Sequence, residues 1–396
     1  MENPVIAVVA YNRGKALKRL LLSLSKAEYP LNTKLFISLD GGASEEISCI
    51  ANQFRAQNLN VYVIENKNKL GLRNHIIKCG DFAIKYGSVI VLEDDLMVDR
   101  YFYLYAQNAI NFYTLCNEIA GIALYAYENN EYAGLPFRPM LNGFSTYAMQ
   151  VPCSWGQCWT KAQWLEFKQW YTGKNSEDIV HMDDLPCAVK NWPESSWKKY
   201  FAAYMVAKNK YFIYPYQAYS TNCSDPGGVH ILNGSSVHQV QMATTERPEP
   251  IFRFMPIKNK EVLYDAYMEP MGDYIFRVLG KNQSEVTIDL QGIKPYSLLR
   301  QLKYVITPRF SDDAIFCFRQ HFRPPEVNLN NPEPPSRDGV WFFVPSSSLL
   351  ESSNYRRSLS EISYYAGLNI ASRKIIEQIF LEIPKLVFNK LLKRFI

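Results

Sequence analysis

Residues 4–11 read PVIAVVAY, a continuous apolar run that is rich in β-branched side chains. Such a run is typical of a strand that is buried on both faces of a parallel sheet. Residues 34–40 (KLFISLD), 60–66 (NVYVIEN) and 88–95 (SVIVLEDD) repeat the pattern, and amphipathic stretches separate them. Strand and helix alternating three times predict an α/β fold made of βαβ units, with helices on both faces of a mainly parallel sheet.

The composition restricts the class of protein. The chain has 396 residues, of which 47% are hydrophobic and 20% charged, so it can bury a full core. Its eight cysteines form no CxxC pair, which favours free thiols over disulfides or a zinc site. No signal-peptide pattern and no apolar stretch of about 18 residues occurs, so we expect no spanning helix. A net charge of +5 is too small to indicate a nucleic-acid partner.

Polar side chains follow each of the four predicted strands. They are Asn12 and Arg13, Asp40, Asn66, and the triplet Glu93, Asp94 and Asp95. Ligands of open α/β sheets bind beyond the carboxyl ends of the strands, so these residues predict one cleft along one edge. A G-x-G-x-x-G turn and a Walker lysine motif are both absent from the sequence, which argues against an ordinary dinucleotide fold.

The acidic triplet is the strongest chemical signal. Three adjacent carboxylates repel one another unless a cation or a solvated loop accepts them. A strand end holds them rigidly, as a hard divalent cation bridging two phosphates requires. The alternative is a solvated turn after a core strand.

Several motifs together resemble the GT-A glycosyltransferases, in particular the N-acetylglucosaminyltransferase I family and its bacterial relatives. The matching pieces are VVAYNR (8–13), SLDGG (38–42), NKLGLRNHI (68–76), VIVLEDDL (89–96), SWGQCW (154–159) and NCSDPGGVH (222–230). The resemblance implies a GT-A type, Rossmann-like sheet flanked by helices. We expect a nucleotide-sugar-binding half at 1–100, an acceptor-binding and catalytic half at 101–245, and a C-terminal extension at 246–396.

The resemblance also implies a donor site and a metal site. The residues expected at the donor are Ala10, Asn12, Arg13, Asp40, Gly71, Asn74, Glu93 and Asp94. Arg13 would lie near the diphosphate and Asp40 near the uracil imide. Asp95 and His230 would bind Mn²⁺ or Mg²⁺, with His238 as the rival of His230.

An inverting transfer needs one base for the acceptor hydroxyl. In the resembling family this is an acidic residue between two tryptophans, and here Glu194 is the carboxylate between Trp192 and Trp197. An exposed glutamate at a helix start is the alternative. The resemblance places an acceptor or sugar site at Trp155, Gly156 and Trp159, although a tryptophan cluster also simply forms a core.

The basic excess belongs to the end of the chain. Residues 373–396 hold six basic and two acidic side chains, which gives 6 − 2 = +4 of the total +5. This amphipathic stretch could bind the anionic inner face of the plasma membrane or pack as an ordinary helix. We therefore expect a cytoplasmic or peripheral bacterial enzyme.

The expected reaction is the transfer of a sugar, first guess N-acetylglucosamine, from a UDP-sugar to a glycan or lipid-linked glycan in surface polysaccharide or lipid-linked oligosaccharide synthesis. The alternatives are a non-catalytic carbohydrate-binding protein and a nucleotidyltransferase. A nucleotidyltransferase usually needs a Gly-rich basic loop near its N-terminus, which VVAYNRG does not provide.

Overall fold

A computed structural model describes residues 3–225, 236–243, 247–259, 262–351 and 355–368. Within them the strands are β1 (Val5–Ala10), β2 (Thr33–Leu39), β3 (Leu59–Glu65), β4 (Ser88–Glu93), β5 (Leu96–Val98), β6 (Ile119–Ala123), β7 (Asn129–Asn130), β8 (Leu135–Pro136), β9 (Thr146–Met149), β10 (Gln157–Thr160), β11 (Tyr211–Pro215), β12 (Ser220–Asn222), β13 (Leu263–Tyr264), β14 (Val286–Ile288), β15 (Tyr304–Thr307), β16 (Phe316–Phe318) and β17 (Trp341–Pro345).

The α-helices of the same residues are α1 (Gly14–Ser25), α2 (Glu45–Gln53), α3 (Gly71–Gly80), α4 (Phe82–Tyr86), α5 (Phe102–Tyr113), α6 (Lys161–Tyr171), α7 (Ser176–Val180), α8 (Cys187–Lys190), α9 (Trp197–Ala207), α10 (Asp273–Leu279), α11 (Tyr296–Leu299) and α12 (Leu359–Ala366). Short 3₁₀ turns lie at Ile257–Asn259, Gln283–Glu285, Pro325–Asn330 and Ser346–Ser348.

Nine strands form the central sheet, in the order β13-β9-β11-β6-β10-β4-β1-β2-β3. Strand β1 pairs in parallel with β2 and β4, and β2 pairs in parallel with β3. Strand β10 is antiparallel to both of its neighbours, β4 and β6. Two hydrophobic clusters cover the two faces of this sheet. The predicted α/β class, with a mainly parallel sheet flanked by helices, is confirmed.

The helical stretch that the sequence predicts over 72–86 is two helices, α3 and α4, separated at Asp81. The Asp81 carboxylate accepts hydrogen bonds from Trp164 Nε1 at 2.8 Å and Lys168 Nζ at 3.2 Å, both on α6. A side chain at Gly80 would meet the Trp164 ring, since an added Cβ would lie 2.1 Å from it. Close packing against α6 therefore accounts for the break.

A second sheet, of order β14-β15-β17-β16, follows the central one in the chain. The Pro-rich stretch 323–339, expected to be an irregular surface excursion, is only partly so. Its 3₁₀ turn Pro325–Asn330 buries Glu326, Asn328 and Leu329. Asn328 Oδ1 accepts from the backbone amide of His321 at 2.7 Å, which ties the loop to the second sheet region. The basic terminal stretch 373–396 lies outside the described residues.

Among the helices that the structure describes, none combines the length and apolarity needed to span a bilayer.

Candidate active site

The parallel pairing brings the polar strand ends to one edge of the sheet. Val9 of β1 lies opposite Glu93 of β4, and Ala10 lies opposite Leu39 of β2. The residues that follow these strands therefore meet side by side, as the sequence predicts. Ala10 itself is buried, so only its backbone can line the cleft.

Asp40 is held by backbone amides. Its Oδ1 accepts from Gly41 N at 2.8 Å and Leu70 N at 2.7 Å, and its Oδ2 accepts from Gly71 N at 3.0 Å. Gly41 must be glycine, because an added Cβ would lie 2.1 Å from the backbone of Asn68. Asp40 thus fastens the end of β2 to the start of α3, and any contact with a base would come from its remaining lone pairs.

Two of the expected donor residues face solvent. Asn12 is exposed, and its Oδ1 accepts from Ser44 N at 3.0 Å. Asn74 is exposed on α3, where its Nδ2 donates to Leu70 O at 3.1 Å. Both side chains keep further hydrogen-bonding capacity at the strand-end edge.

Arg13 and the acidic triplet form what we call the strand-end cluster: Arg13, Glu93, Asp94 and Asp95. The guanidinium bridges two carboxylates, with NH1 2.9 Å from Asp95 Oδ2 and NH2 in contact with Asp94 Oδ1. Asp95 Oδ1 is buried and has no hydrogen-bond partner among the described residues. One guanidinium therefore bridges two of the three carboxylates, and one buried carboxylate oxygen has no partner among the described residues.

Burial and mutual repulsion raise the pKa values of Glu93 and Asp94. Burial, followed by the charge of Asp95, raises the pKa of Glu93 to about 8, while Arg13 and Lys198 oppose the rise. Burial also raises the pKa of Asp94 to about 6, against the lowering effect of Arg13. Such perturbed carboxyls at a strand-end cleft are typical of functional sites.

We call the rings of Trp155, Tyr125, Tyr127 and His238 the aromatic wall. The side chain of Trp155 is half-buried. Its ring lies 4.6 Å from the ring of Tyr125, 5.6 Å from that of Tyr127 and 4.5 Å from that of His238, measured between centroids. The following residue, Gly156, has φ +92°, and an added Cβ would lie 2.9 Å from Ser220 Oγ. The loop thus takes a conformation that favours glycine, and the space beside Gly156 is filled by Ser220 and Leu124. The role of Trp155 and Gly156 in a sugar-binding surface stays a prediction.

Trp159 does not fit that role. Its side chain is fully buried, and its ring packs 4.6 Å from Trp164 and 5.7 Å from Trp197 between centroids. The inward-facing position on β10 places it in the core beneath the sheet. The structure therefore corrects the expectation that Trp159 contacts a sugar, and the core alternative accounts for this residue.

A buried ion pair that was not predicted from the sequence lies beside Trp155. Lys198 Nζ lies 3.0 Å from Glu131 Oε1 and 3.2 Å from Glu131 Oε2, and it donates to Tyr127 OH at 3.1 Å. The same ammonium lies 4.9 Å from the centroid of the Trp155 ring and 5.2 Å from that of Trp192. Neither charged residue belongs to a recognisable motif, so only their meeting in space reveals them.

Glu194 lies at the surface, with 65% of its side chain exposed. Its Oε1 is 3.7 Å from Arg73 NH1, and its backbone oxygen accepts from the same nitrogen at 2.9 Å. The segment that carries Glu194 joins the aromatic wall through Trp192, which lies beside Lys198.

Of the two expected metal ligands, Asp95 is among the described residues. Among them, no group of three or more His, Cys, Asp and Glu side chains is arranged to hold a metal ion. Asp95 Oδ1 nevertheless offers one buried carboxylate oxygen. His230 lies outside the described residues. The backbone amide of Cys223 donates to Asp95 O at 2.9 Å.

His238, the rival ligand, stacks on Trp155. Burial lowers the pKa of its imidazole, against the raising effects of Glu131 and Asp95. The cluster of His181, Asp183 and Asp184 is exposed, as expected for a solvated loop.

No family model and no curated protein matches this sequence. Among solved structures, residues 1–349 of S. aureus TarS share 16% identity over 56% of this chain and 60% of that chain, with a TM-score of 0.35. The same fragment in complex with UDP-GlcNAc shares 14% identity over 58% of this chain and 61% of that chain, with a TM-score of 0.35. The mannosyltransferase PcManGT from Pyrobaculum calidifontis, in complex with GDP-Man and Mn²⁺, shares 9% identity over 45% of this chain and 48% of that chain. Its TM-score is 0.32.

Each of these alignments spans less than two thirds of the other chain. At such low TM-scores they carry no functional argument, so the proposal below rests on the residues of this chain.

Proposed function

We propose that this protein is a metal-dependent, inverting glycosyltransferase that uses a UDP-sugar. The observation that carries the proposal is the strand-end cluster, in which Arg13 bridges Asp94 and Asp95 while Asp95 Oδ1 stays without a partner among the described residues. A cation site next to a guanidinium at the carboxyl ends of parallel strands suits a nucleoside diphosphate.

The donor would be held by residues of the first three βα units. Arg13 would bind the diphosphate with its planar fork, and Asp40, Gly71 and Asn74 would line the nucleotide pocket. Asp95 would be the protein ligand of Mn²⁺ or Mg²⁺, with His230 as the expected second ligand. The metal would supply charge neutralisation of the leaving diphosphate.

The acceptor would lie on the side of the aromatic wall. Trp155 offers an amphipathic ring for the C–H face of a sugar, and the backbone at Gly156 permits close approach. Glu194, carried on the segment of Trp192, would take the proton of the acceptor hydroxyl while that oxygen attacks the anomeric carbon. The attack comes opposite the leaving diphosphate, so the configuration inverts.

The donor sugar and the acceptor follow from the family resemblance alone. N-acetylglucosamine is the first guess for the sugar, and a surface polysaccharide or lipid-linked oligosaccharide is the proposed acceptor. The basic terminal stretch 373–396 would then hold the enzyme at the inner face of the plasma membrane. Removing it should reduce binding to anionic vesicles at low salt without changing UDP affinity.

The test is a screen of UDP-sugars with purified protein, measuring UDP release with and without glycan acceptors and with Mn²⁺ or EDTA. Turnover that requires the metal supports the proposal. A carbohydrate-binding protein would bind glycans without needing Mn²⁺ or UDP. A nucleotidyltransferase would release pyrophosphate from a nucleoside triphosphate and no UDP.

A further inference from the structure

Arg13 lies between the central sheet and the first helix, α1. It lies three residues after the end of β1 and directly before α1, and its backbone oxygen accepts from Leu17 N at 2.9 Å in the first turn of α1. Its side chain is 23% exposed, so it is neither sealed in the core nor free in solvent. The guanidinium contacts Asp94 and Asp95 and is also partly open to solvent at the strand-end edge.

The guanidinium and the proposed metal need the same carboxylate. Arg13 NH1 lies 2.9 Å from Asp95 Oδ2, while the oxygen left for a metal is Asp95 Oδ1 of the same group. A divalent cation bound there would lie within a few ångströms of the guanidinium. Like charges at such a distance, in a partly buried site, repel strongly.

A diphosphate would relieve this conflict. It brings negative charge to the cleft, and its oxygens match the fork of an arginine at least as well as a carboxylate does. A guanidinium that leaves Asp95 for the diphosphate exchanges a single contact for the two parallel contacts that a phosphate can accept. The departure also removes the repulsion on the metal.

We propose that Arg13 couples metal binding to nucleotide binding, by competing with the metal for Asp95 until the diphosphate of the donor takes the guanidinium away. This inference rests on the proposed metal and donor sites. It makes the two ligands mutually cooperative, and linkage requires that each raises the affinity of the other by the same factor.

Removing the guanidinium then has effects of opposite sign on the two ligands. Without UDP, the Arg13→Gln variant should bind Mn²⁺ about tenfold more tightly than wild type, because a nearby like charge is gone. Without metal, the variant should bind UDP about tenfold more weakly, because a diphosphate partner is lost. The factor by which each ligand enhances the other should fall about tenfold. A merely structural role would weaken both ligands.

The experiment titrates Mn²⁺ followed by electron paramagnetic resonance, and UDP followed by calorimetry, each with and without the other ligand, at one fixed pH. Arg247→Gln is the matched control. Arg247 makes a bidentate pair with Asp99 at 2.8 and 3.0 Å, and its side chain is 20% exposed. Among the described residues no hydrogen bond or ion pair joins that pair to the strand-end cluster. The control should therefore keep the wild-type affinities for Mn²⁺ and for UDP, each with and without the other ligand.

The double variant Arg13→Gln/Asp94→Asn removes one charge of each sign and carries the test should Arg13→Gln fail to fold. Weaker or unchanged Mn²⁺ binding by the Arg13 variants, or an undiminished coupling factor, overturns the inference. A wild-type protein that binds UDP equally with and without Mn²⁺ overturns the proposed metal dependence instead. The two failures are therefore distinguishable.

Discussion

Two regions of the molecule each contain three carboxylates, but they differ in the number of cations that contact those carboxylates. One is the strand-end cluster. The other, which we call the buried junction, is formed by Asp265, Glu269, Asp289, Lys294 and Arg309. The cluster has one cation in contact for its three acids, whereas the junction has two.

In the junction nearly every charged group has a partner. Lys294 Nζ lies 2.5 Å from Asp265 Oδ2, and Arg309 contacts Asp289 Oδ2. Asp289 Oδ1 accepts from Lys294 N at 2.9 Å, and Glu269 Oε1 accepts from Gln291 N at 2.7 Å. Burial, followed by the charge of Asp289, raises the pKa of Glu269 well above its ordinary value.

The difference shows that burial and shifted pKa values do not by themselves mark an active site. Asp289 is fully buried, whereas the side chain of Asp95 is 15% exposed. Asp95 lies at the strand-end edge, and its Oδ1 lacks a partner among the described residues. Access separates the two regions, because a carboxylate oxygen without a partner among the described residues also occurs in the junction, at Glu269 Oε2. The variants that follow test that difference in access.

The largest expected effect is the loss of turnover in Asp95→Asn. The substitution keeps the shape of the side chain but removes the charge that would hold the metal, so turnover should fall at least about 10³-fold. The melting temperature should stay near that of wild type. Steady-state UDP release and a thermal melt measure the two quantities. Undiminished turnover in the presence of EDTA would remove Asp95 from the proposed metal site.

Asp289→Asn should reverse this pattern. It leaves the Arg309 guanidinium buried without its counter-ion, which should lower the free energy of unfolding by about 3 kcal/mol. UDP affinity of the folded protein should not change. Urea denaturation and calorimetry measure these quantities. Asp312→Asn, which removes the partner of Arg337 in an exposed pair, is the control and should unfold like wild type. Equal stability of both variants would contradict the structural role of the junction.

The sequence predicted the strand-end edge well, because short-range patterns determine it. The apolar run at 4–11 and the acids at 93–95 fix both a parallel strand and the polar residues that follow it. The pair of Glu131 and Lys198 could not be predicted, since 67 positions separate two residues that belong to no motif. Trp159 was misassigned for a related reason: a ring that faces the core and one that faces a cleft have the same sequence signal.

Glu194→Gln tests the proposed acceptor site, which lies outside both regions. The change keeps the shape of the side chain but removes the proposed base, so turnover should fall by at least about 10²-fold. UDP affinity should change little, because Glu194 is expected to face the acceptor. The nearby exposed residue Glu177 provides the control variant Glu177→Gln, which should keep full turnover. If binding and turnover fall together, Glu194 is structural. If neither falls, Asp183 and Asp184 are the next candidates.

The smallest expected effect concerns Glu326, a buried acid outside both regions. Its Oε1 accepts from Tyr264 OH at 2.5 Å, and it lines a cavity of about 20 Å³ together with Glu269 and Tyr365. Burial raises the pKa of Glu326 to about 7, so the folded protein keeps this proton at a pH where the unfolded chain has lost it. The stabilisation is fully present below the ordinary pKa of a glutamate and is lost as the pH rises to about 7.

Glu326→Gln should abolish that pH dependence, because glutamine is neutral throughout and can still accept from Tyr264. Relative to wild type, the variant should gain roughly 2 kcal/mol of unfolding free energy between pH 4.5 and pH 8. Urea denaturation of both proteins at the two pH values measures the gain, with the exposed Glu249→Gln as a control that should show none. No gain in Glu326→Gln would mean that Glu326 ionises in the folded protein as it does in the unfolded chain. A gain of the same size in the control would mean that the gain does not come from Glu326. Burial alone would then not distinguish the acids of the interior from those of the strand-end cluster.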